Sequence, residues 1–291
     1  MAIDVAKLKN WPHLPIEQHY GARDTILYAL GVGVGQDPTD RAQLRFVYED
    51  GLQALPTLAV VLGYPGFWAK DPATGIDWIR LLHGEQSLEL FAPLPAQGTV
   101  IGRTRVTALV DKGAGRGALM VSEREIADAA SGRRLALARS VSFLRGDGGF
   151  SAGGQPSDPP PPPRAATPQT PPDRVCELKT RPEAALIYRL SGDYNPVHVD
   201  PAVAQAAGFE RPILHGLCSF GVSGVALLKT LCDWDPSRLQ ALGCRFSAPV
   251  YPGETLRVET WHLGGGRHAF RTKVVERDVV VLSHGSARIA A

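Results

Sequence analysis

Residues Arg189 to Gly221 read RLSGDYNPVHVDPAVAQAAGFERPILHGLCSFG, and the apolar stretch that opens near their end runs on to Leu231. Leu217 to Leu231 is rich in small and aliphatic side chains, which predicts a helix buried on most sides. Upstream, Pro182 suits the first turn of a helix running to about Leu190. Ser191-Gly192-Asp193-Tyr194-Asn195-Pro196 is turn chemistry and predicts a loop. Asp200-Pro201 reads as an N-cap followed by proline at the first helical position, with Gly208 closing a short helix. Downstream come three strand-like runs, Ala241 to Ser247, Thr255 to His262 and Ala269 to Val280. In the middle run Leu256, Val258 and Thr260 alternate with Arg257, Glu259 and Trp261, the period of a half-buried strand. A helix followed by antiparallel strands predicts α+β, a sheet wrapped on one central helix.

This block is the second of two. Pro56 and Pro212 sit in related segments, LPTLAV and RPILHG, and Pro93 and Pro249 sit in APLPAQGTV and APVYPGETL; both pairs are 156 residues apart. A shared offset predicts a duplicated unit rather than a solenoid, since there are two copies. Between the copies, Gly146 to Pro172 is Pro/Gly-rich with almost nothing apolar, and Pro159 to Pro163 favours polyproline II. The expected organisation is an N-terminal domain over 1–145, a linker over 146–173 and a C-terminal domain over 174–291.

Composition narrows the class. Of the 291 residues, 44% are hydrophobic and 21% charged, as in a soluble globular protein. The net charge of +2 and the absence of any long apolar run argue against nucleic acid and membrane partners. The four cysteines form no CxxC pair and no zinc-like spacing, so they read as buried, reduced thiols. The N-terminus lacks a secretory apolar region, and the C-terminal Ala-Arg-Ile-Ala-Ala is not an SKL-type address, so the expected location is cytoplasmic.

The densest polar segment, Asp193 to Asp200, supplies a carboxylate and an imidazole across a proline-stiffened loop. Acid–base catalysis needs both groups within reach of one water or proton. Histidine is the natural acceptor near neutral pH, and a carboxyl in an apolar pocket can serve as an acid. Gly216 stands where the apolar helix begins. Its free N–H and the helix dipole favour a developing oxyanion there, and glycine permits close approach. Metal binding is less well served, because no further ligand cluster accompanies Asp193, His198 and Asp200. The Gly31 to Gly35 run follows an apparent helix rather than a strand, which argues against a dinucleotide site. Asp200 reads as a cap, and His215 as a hydrogen bonder at the helix entry. Arg245, Arg257 and Arg267 are either solvated or partners for phosphates.

At these residues the chain closely resembles the MaoC-like (R)-specific enoyl-CoA hydratases, in particular the hydratase 2 unit of multifunctional enzymes. The motif D-x-N-P-x-H-x-D is matched by Asp193, Asn195, Pro196, His198 and Asp200, and R-P-I-x-H-G by Arg211 to Gly216. The likeness extends into the first block through Tyr20 to Gly33 and Leu82-His83-Gly84-Glu85-Gln86. It implies a double hot-dog fold, each repeat a long central helix wrapped by a sheet. The implied reaction is reversible addition of water to trans-2-enoyl-CoA, giving (3R)-3-hydroxyacyl-CoA. Asp193 and His198 would be catalytic, with His198 favoured as base and Asp193 as acid, or the roles shared on one loop. Asn195 would orient the pair or the water, and the Gly216 N–H would bind the thioester oxygen. Tyr194, His215, His83 and Gly84 are candidates for substrate contact. The resemblance implies an acyl-CoA thioester as substrate, no added cofactor, no metal and a homodimer.

The first copy departs from this pattern. Gly31-Val32-Gly33-Val34-Gly35-Gln36-Asp37-Pro38 replaces the carboxylate–imidazole loop, and Ala59 and Val60 replace His215 and Gly216. One active site per chain is expected, with the first copy accommodating the acyl tail. Competing functions are a hot-dog acyl-CoA thioesterase, which the intact Asp193/His198 motif argues against, and a non-catalytic acyl-CoA or acyl-carrier binding protein.

Overall fold

The computed structural model describes residues 3–290. The first repeat carries α1 (Val5–Lys9), β1 (Ile16–Tyr20), α2 (Ala22–Gly31), α3 (Arg41–Leu44), β2 (Leu81–Leu90), β3 (Gly98–Asp111), β4 (Ala118–Asp128) and β5 (Arg134–Leu144). The second carries β6 (Arg174–Lys179), α4 (Ala184–Tyr188), α5 (Pro201–Ala206), α6 (Gly216–Leu231), β7 (Leu239–Phe246), β8 (Thr255–Gly264), β9 (Arg267–Val274) and β10 (Val279–Ile289). All ten strands join in one antiparallel sheet, in the order β1-β3-β4-β5-β2-β7-β10-β9-β8-β6. Read inward from either end, the two halves list equivalent elements. At the seam β2 meets β7 with Ser87 opposite Gly243, and these two residues are themselves 156 apart. The seam therefore passes through a pseudo-twofold axis relating the repeats, the architecture of a double hot dog.

Helix α6 is the core of the molecule. Every residue from Cys218 to Leu228 is buried. Its small residues let the first repeat come close. A Cβ on Gly221 would lie 2.5 Å from Val32 Cγ1, and one on Gly224 2.6 Å from Thr57 Cγ2. The buried Ser223 hydroxyl donates to Ser219 O at 2.9 Å and accepts from Thr272 Oγ1 at 2.8 Å, so the helix carries that polar group into the core without leaving it unpaired. Leu256, Val258 and Thr260 are almost wholly buried in β8, but the alternation fails toward its end, where Glu259, paired with Arg271, and Trp261 are buried as well.

Four further expectations need correction. The first repeat has no long central helix. Its counterpart is a 3₁₀ turn over Pro56–Val60, and the chain then turns at Gly63 and Gly66, both at positive φ, with Pro65 between them. Glycine and proline stop the helix that the apolar run would otherwise extend. The third strand-like run is two strands, because the chain turns between Val274 and Val279. The helix after Pro182 is shorter than expected, Ala184–Tyr188, followed by a 3₁₀ turn.

The segment between the repeats, finally, is docked rather than free. Phe150 is buried with Ile3, Leu8 and Met120 in a second apolar cluster. Arg164 Nε donates to Glu85 Oε2 at 2.9 Å, and its guanidinium lies where a Cβ on Gly243 would be. Thr170 O accepts from Trp261 Nε1 at 2.9 Å. Among the described residues no helix is long and apolar enough to cross a membrane. The four cysteines are free and buried, and burial pushes each thiol pKa up.

Candidate active site

Three consecutive turns shape the loop ahead of α6. Gly192 takes φ 119°, a left-handed conformation that a side chain would strain. Asn195 Oδ1 caps the next turn by accepting from Val197 N at 3.2 Å, with Pro196 in its first position. Asp200 then caps α5 through Ala202 N at 2.8 Å. These caps fix the register so that Asp193 and His198 face one another. Asp193 Oδ2 lies 3.9 Å from His198 Nε2, too far for a direct hydrogen bond. The other carboxylate oxygen accepts from Asn195 N at 3.2 Å. A water within hydrogen-bond distance of both groups can lie between them.

The proton state of His198 follows from its other nitrogen. Ile213 O, 2.8 Å from Nδ1, can only accept, so Nδ1 carries the hydrogen and Nε2 keeps its lone pair toward Asp193. Burial lowers the His198 pKa and favours this neutral form; the Ile213 carbonyl and Asp193 pull the other way. His215 stacks on it, with ring centroids 3.7 Å apart and planes 26° apart. Its Nε2 donates to Asp193 O at 3.1 Å, which ties the loop to the start of α6. Burial, then the neighbouring His198, lowers the His215 pKa to about 4. Asp193, His198 and His215 bring one ligand atom each within 4.8 Å of one another. The imidazole planes are stacked, however, and ring lone pairs lie in the plane, so the two rings do not converge on one ion.

Gly216 is the first residue of α6, with His215 as its cap, and is exposed at the helix mouth. A Cβ there would come within 3.2 Å of the Phe246 ring, which itself meets His83 at 4.8 Å. His83 thus reaches the site from the first repeat. It does so through a bulge: β2 pairs His83 with Ser142 and Glu85 with Val141, which leaves Gly84 unpaired and turns the strand locally. His83 Nε2 donates to Glu85 O at 3.1 Å, and burial lowers its pKa to about 4. Tyr194 is 59% exposed at the rim, with the Arg189 guanidinium 4.9 Å from its ring centroid.

The structure brings Asp193, His198, Gly216, Tyr194 and His83 around one opening. It puts His215 behind the pair, buried beneath the loop, so its expected contact with substrate is replaced by a hold on the Asp193 backbone. Asn195 spends its side chain on the turn. Two residues went unread in the sequence: Tyr64, whose pKa is raised by burial and then by the nearby Asp193 charge, and Arg124, which lies 5.3 Å from the Tyr64 ring and donates to Val60 O at 2.5 Å. Only the fold joins them to a motif about 70 to 130 residues away. The Gly31–Gly35 segment is filled rather than open, since Val32 and Val34 are both 1% exposed.

A MaoC like domain model matches residues 164–284, and an MFE-2 hydratase 2 N-terminal domain model matches residues 18–146. The peroxisomal enoyl-CoA hydratase 2 of Arabidopsis thaliana is 42% identical over 283 residues, covering 91% of this chain and 88% of that protein. The 3-hydroxyacyl-thioester dehydratase Y of Mycobacterium tuberculosis is 41% identical over 281 residues, covering 92% of each. The crystal structure of a MaoC-like dehydratase from Phytophthora capsici superposes with a TM-score of 0.86 at 36% identity, covering 99% of both chains.

Proposed function

The chain belongs to the hydratase 2 family of MaoC-like proteins, and on that premise we propose how its residues act. It is a hydro-lyase that adds water reversibly to trans-2-enoyl-CoA to give (3R)-3-hydroxyacyl-CoA. The observation that supports the roles is the 3.9 Å gap between Asp193 Oδ2 and His198 Nε2 at the mouth of α6.

Water in that gap gives a proton to His198 Nε2 as its oxygen bonds to C3. The C2–C3 π electrons move toward the thioester, and the Gly216 N–H holds the oxygen on which charge develops. The proton on His198 then crosses the same gap to Asp193, which delivers it to C2. Both groups lie on one loop, so oxygen and hydrogen arrive on one face of the double bond. The step needs no cofactor or metal beyond the CoA that comes with the substrate. His215 and Asn195 position the loop. His83, Gly84 and Tyr194 frame the opening, and the acyl tail extends toward the first repeat past His83 and Tyr64. That repeat is non-catalytic, as Ala59 and Val60 at the His215 and Gly216 positions support.

The buried free thiols suit a reducing compartment such as the cytoplasm. Exposed Phe67, Trp78, Ile79 and Leu82 offer an apolar face for pairing two chains. Sedimentation of the purified protein checks the pairing: a monomer at micromolar concentration refutes it.

The function itself is tested with crotonyl-CoA and a longer trans-2-enoyl-CoA. Loss of the enoyl absorbance, with product oxidised by an (R)-specific 3-hydroxyacyl-CoA dehydrogenase and no free thiol, is the expected result. Thiol release without loss of the enoyl band would instead identify a thioesterase.

A further inference from the structure

A cavity opens in the described structure away from the catalytic loop. It has a volume of about 380 Å³ and lies between the end of β2, the Pro56 turn and the start of β7. Its lining includes Pro56, Leu90, Pro93, Leu239 and Gln240. Shifted by the 156-residue repeat, these are the counterparts of Pro212, Phe246, Pro249, His83 and Gly84. Phe246, His83 and Gly84 frame the catalytic opening, so the cavity is the image of that opening across the Ser87/Gly243 axis. The catalytic pair is missing from it: the counterpart of His198 is Ala42 and that of His215 is Ala59, while Asp37, the counterpart of Asp193, does not line the cavity and accepts from Thr39.

We propose that this cavity is a second, non-catalytic site for the pantetheine arm of an acyl thioester; the choice of arm rests on the thioester substrate assigned above. Three features carry the idea. The volume falls in the range of about 300–1,000 Å³ for small-molecule sites. It is enough for the arm but not for a whole acyl-CoA, so the nucleotide would remain outside. The walls join apolar side chains to the amides of Gln53 and Gln240, and Gln53 Oε1 has no hydrogen-bond partner among the described residues. A pantetheine arm has that character, a flexible apolar chain with two amides. Finally, the same strand pair, β2 and β7, shapes both openings, so the cavity repeats the frame at which the thioester is held. The lining carboxylate Asp235 is occupied by Ser237 and flanked by Arg45 and Arg238, which limits its repulsion of an anionic ligand.

The cavity is separate from the catalytic acyl channel. Phe246 and Leu239 are seven residues apart on β7, about 23 Å at strand rise. A four-carbon chain held at Asp193 does not reach it.

Calorimetric titration with butyryl-CoA, which has no double bond to hydrate, tests the proposal. The wild-type chain is expected to bind two molecules, and Ser237→Trp, which plugs the exposed rim, one, with crotonyl-CoA turnover unchanged. Gln240→Leu, which adds no bulk, is expected to weaken only the second site, by about fivefold, the scale of one hydrogen bond. This second variant keeps the test intact if Ser237→Trp does not fold. One molecule bound by wild type, or two by folded Ser237→Trp, overturns the proposal. Hydration of crotonyl-CoA by a chain that binds one molecule overturns it while leaving the catalytic reading intact. Absent hydration with two molecules bound would do the reverse. Competition by a phosphopantetheinylated carrier protein and by free CoA then identifies the source: the stronger competitor supplies the arm.

Discussion

His198 acts in its neutral form, with Nδ1–H held by Ile213 O and Nε2 open toward Asp193. Replacing it with alanine, or Asp193 with asparagine, is expected to lower kcat by at least about a hundredfold, the scale of an acid–base group. Near-normal turnover in either variant would remove that residue from the chemistry. Burial lowers the His198 pKa, so the acidic limb of kcat/KM against pH should lie below 6.5, the value of an unperturbed histidine. A midpoint above 6.5 would contradict the buried, uncharged ring. The same sign applies to stability. His83 and His215 fall to about 4 when folded, so the unfolded chain binds more protons between roughly 6.5 and 4. Stability is therefore full above that window and lost as pH falls through it, which Tm against pH will show. The pair itself was legible in D-x-N-P-x-H-x-D, because side-chain type and spacing carry it. The acceptor that sets the His198 tautomer was not, because any residue at position 213 offers the same carbonyl.

Helix α6 joins the two repeats through glycine. Gly224→Val places a branched side chain against Thr57, and the expected loss of stability is about 1–3 kcal/mol, the cost of overpacking a filled core. Unfolding by urea checks it; an unchanged midpoint would mean that the contact is slack. Gly216→Val meets the Phe246 ring instead and should reduce kcat more than it changes stability. The helix could be read from its sequence because it is apolar all round and long. Its missing counterpart was marked too: Gly63, Pro65 and Gly66 fall where the image of α6 would continue. There the likeness to a repeated fold outweighed the local breakers. The separation of β9 from β10 rests on a turn at Arg277 and Asp278 with no glycine or proline, and Asp278 bears the positive φ itself.

Across the whole molecule, the seam between β2 and β7 makes two repeats into one body, and the inter-repeat segment crosses it. Glu85 accepts from both Arg164 and Arg245, at 2.9 Å in each case, with its side chain 18% exposed. Glu85→Gln is expected to cost about 1.5–3 kcal/mol, the range for hydrogen bonds to charged groups. It should also speed proteolysis within residues 156–170. Equal cleavage rates in variant and wild type would show that Arg164 does not hold the segment. Proline content predicted a long, stiff crossing there. It did not reveal docking, which depends on one buried phenylalanine, one arginine and a glycine on another repeat. The 156-residue offset, by contrast, was visible in two proline pairs and reappears as the axis of the sheet. The measurement that tests the central claim most directly is hydration of crotonyl-CoA in deuterium oxide, followed by NMR of the 3-hydroxybutyryl product. The family assignment predicts the 3R configuration, and one loop supplying both groups predicts a single C2 deuteron on the same face as the new hydroxyl. Anti addition would contradict the one-loop mechanism, and a 3S product the hydratase 2 assignment.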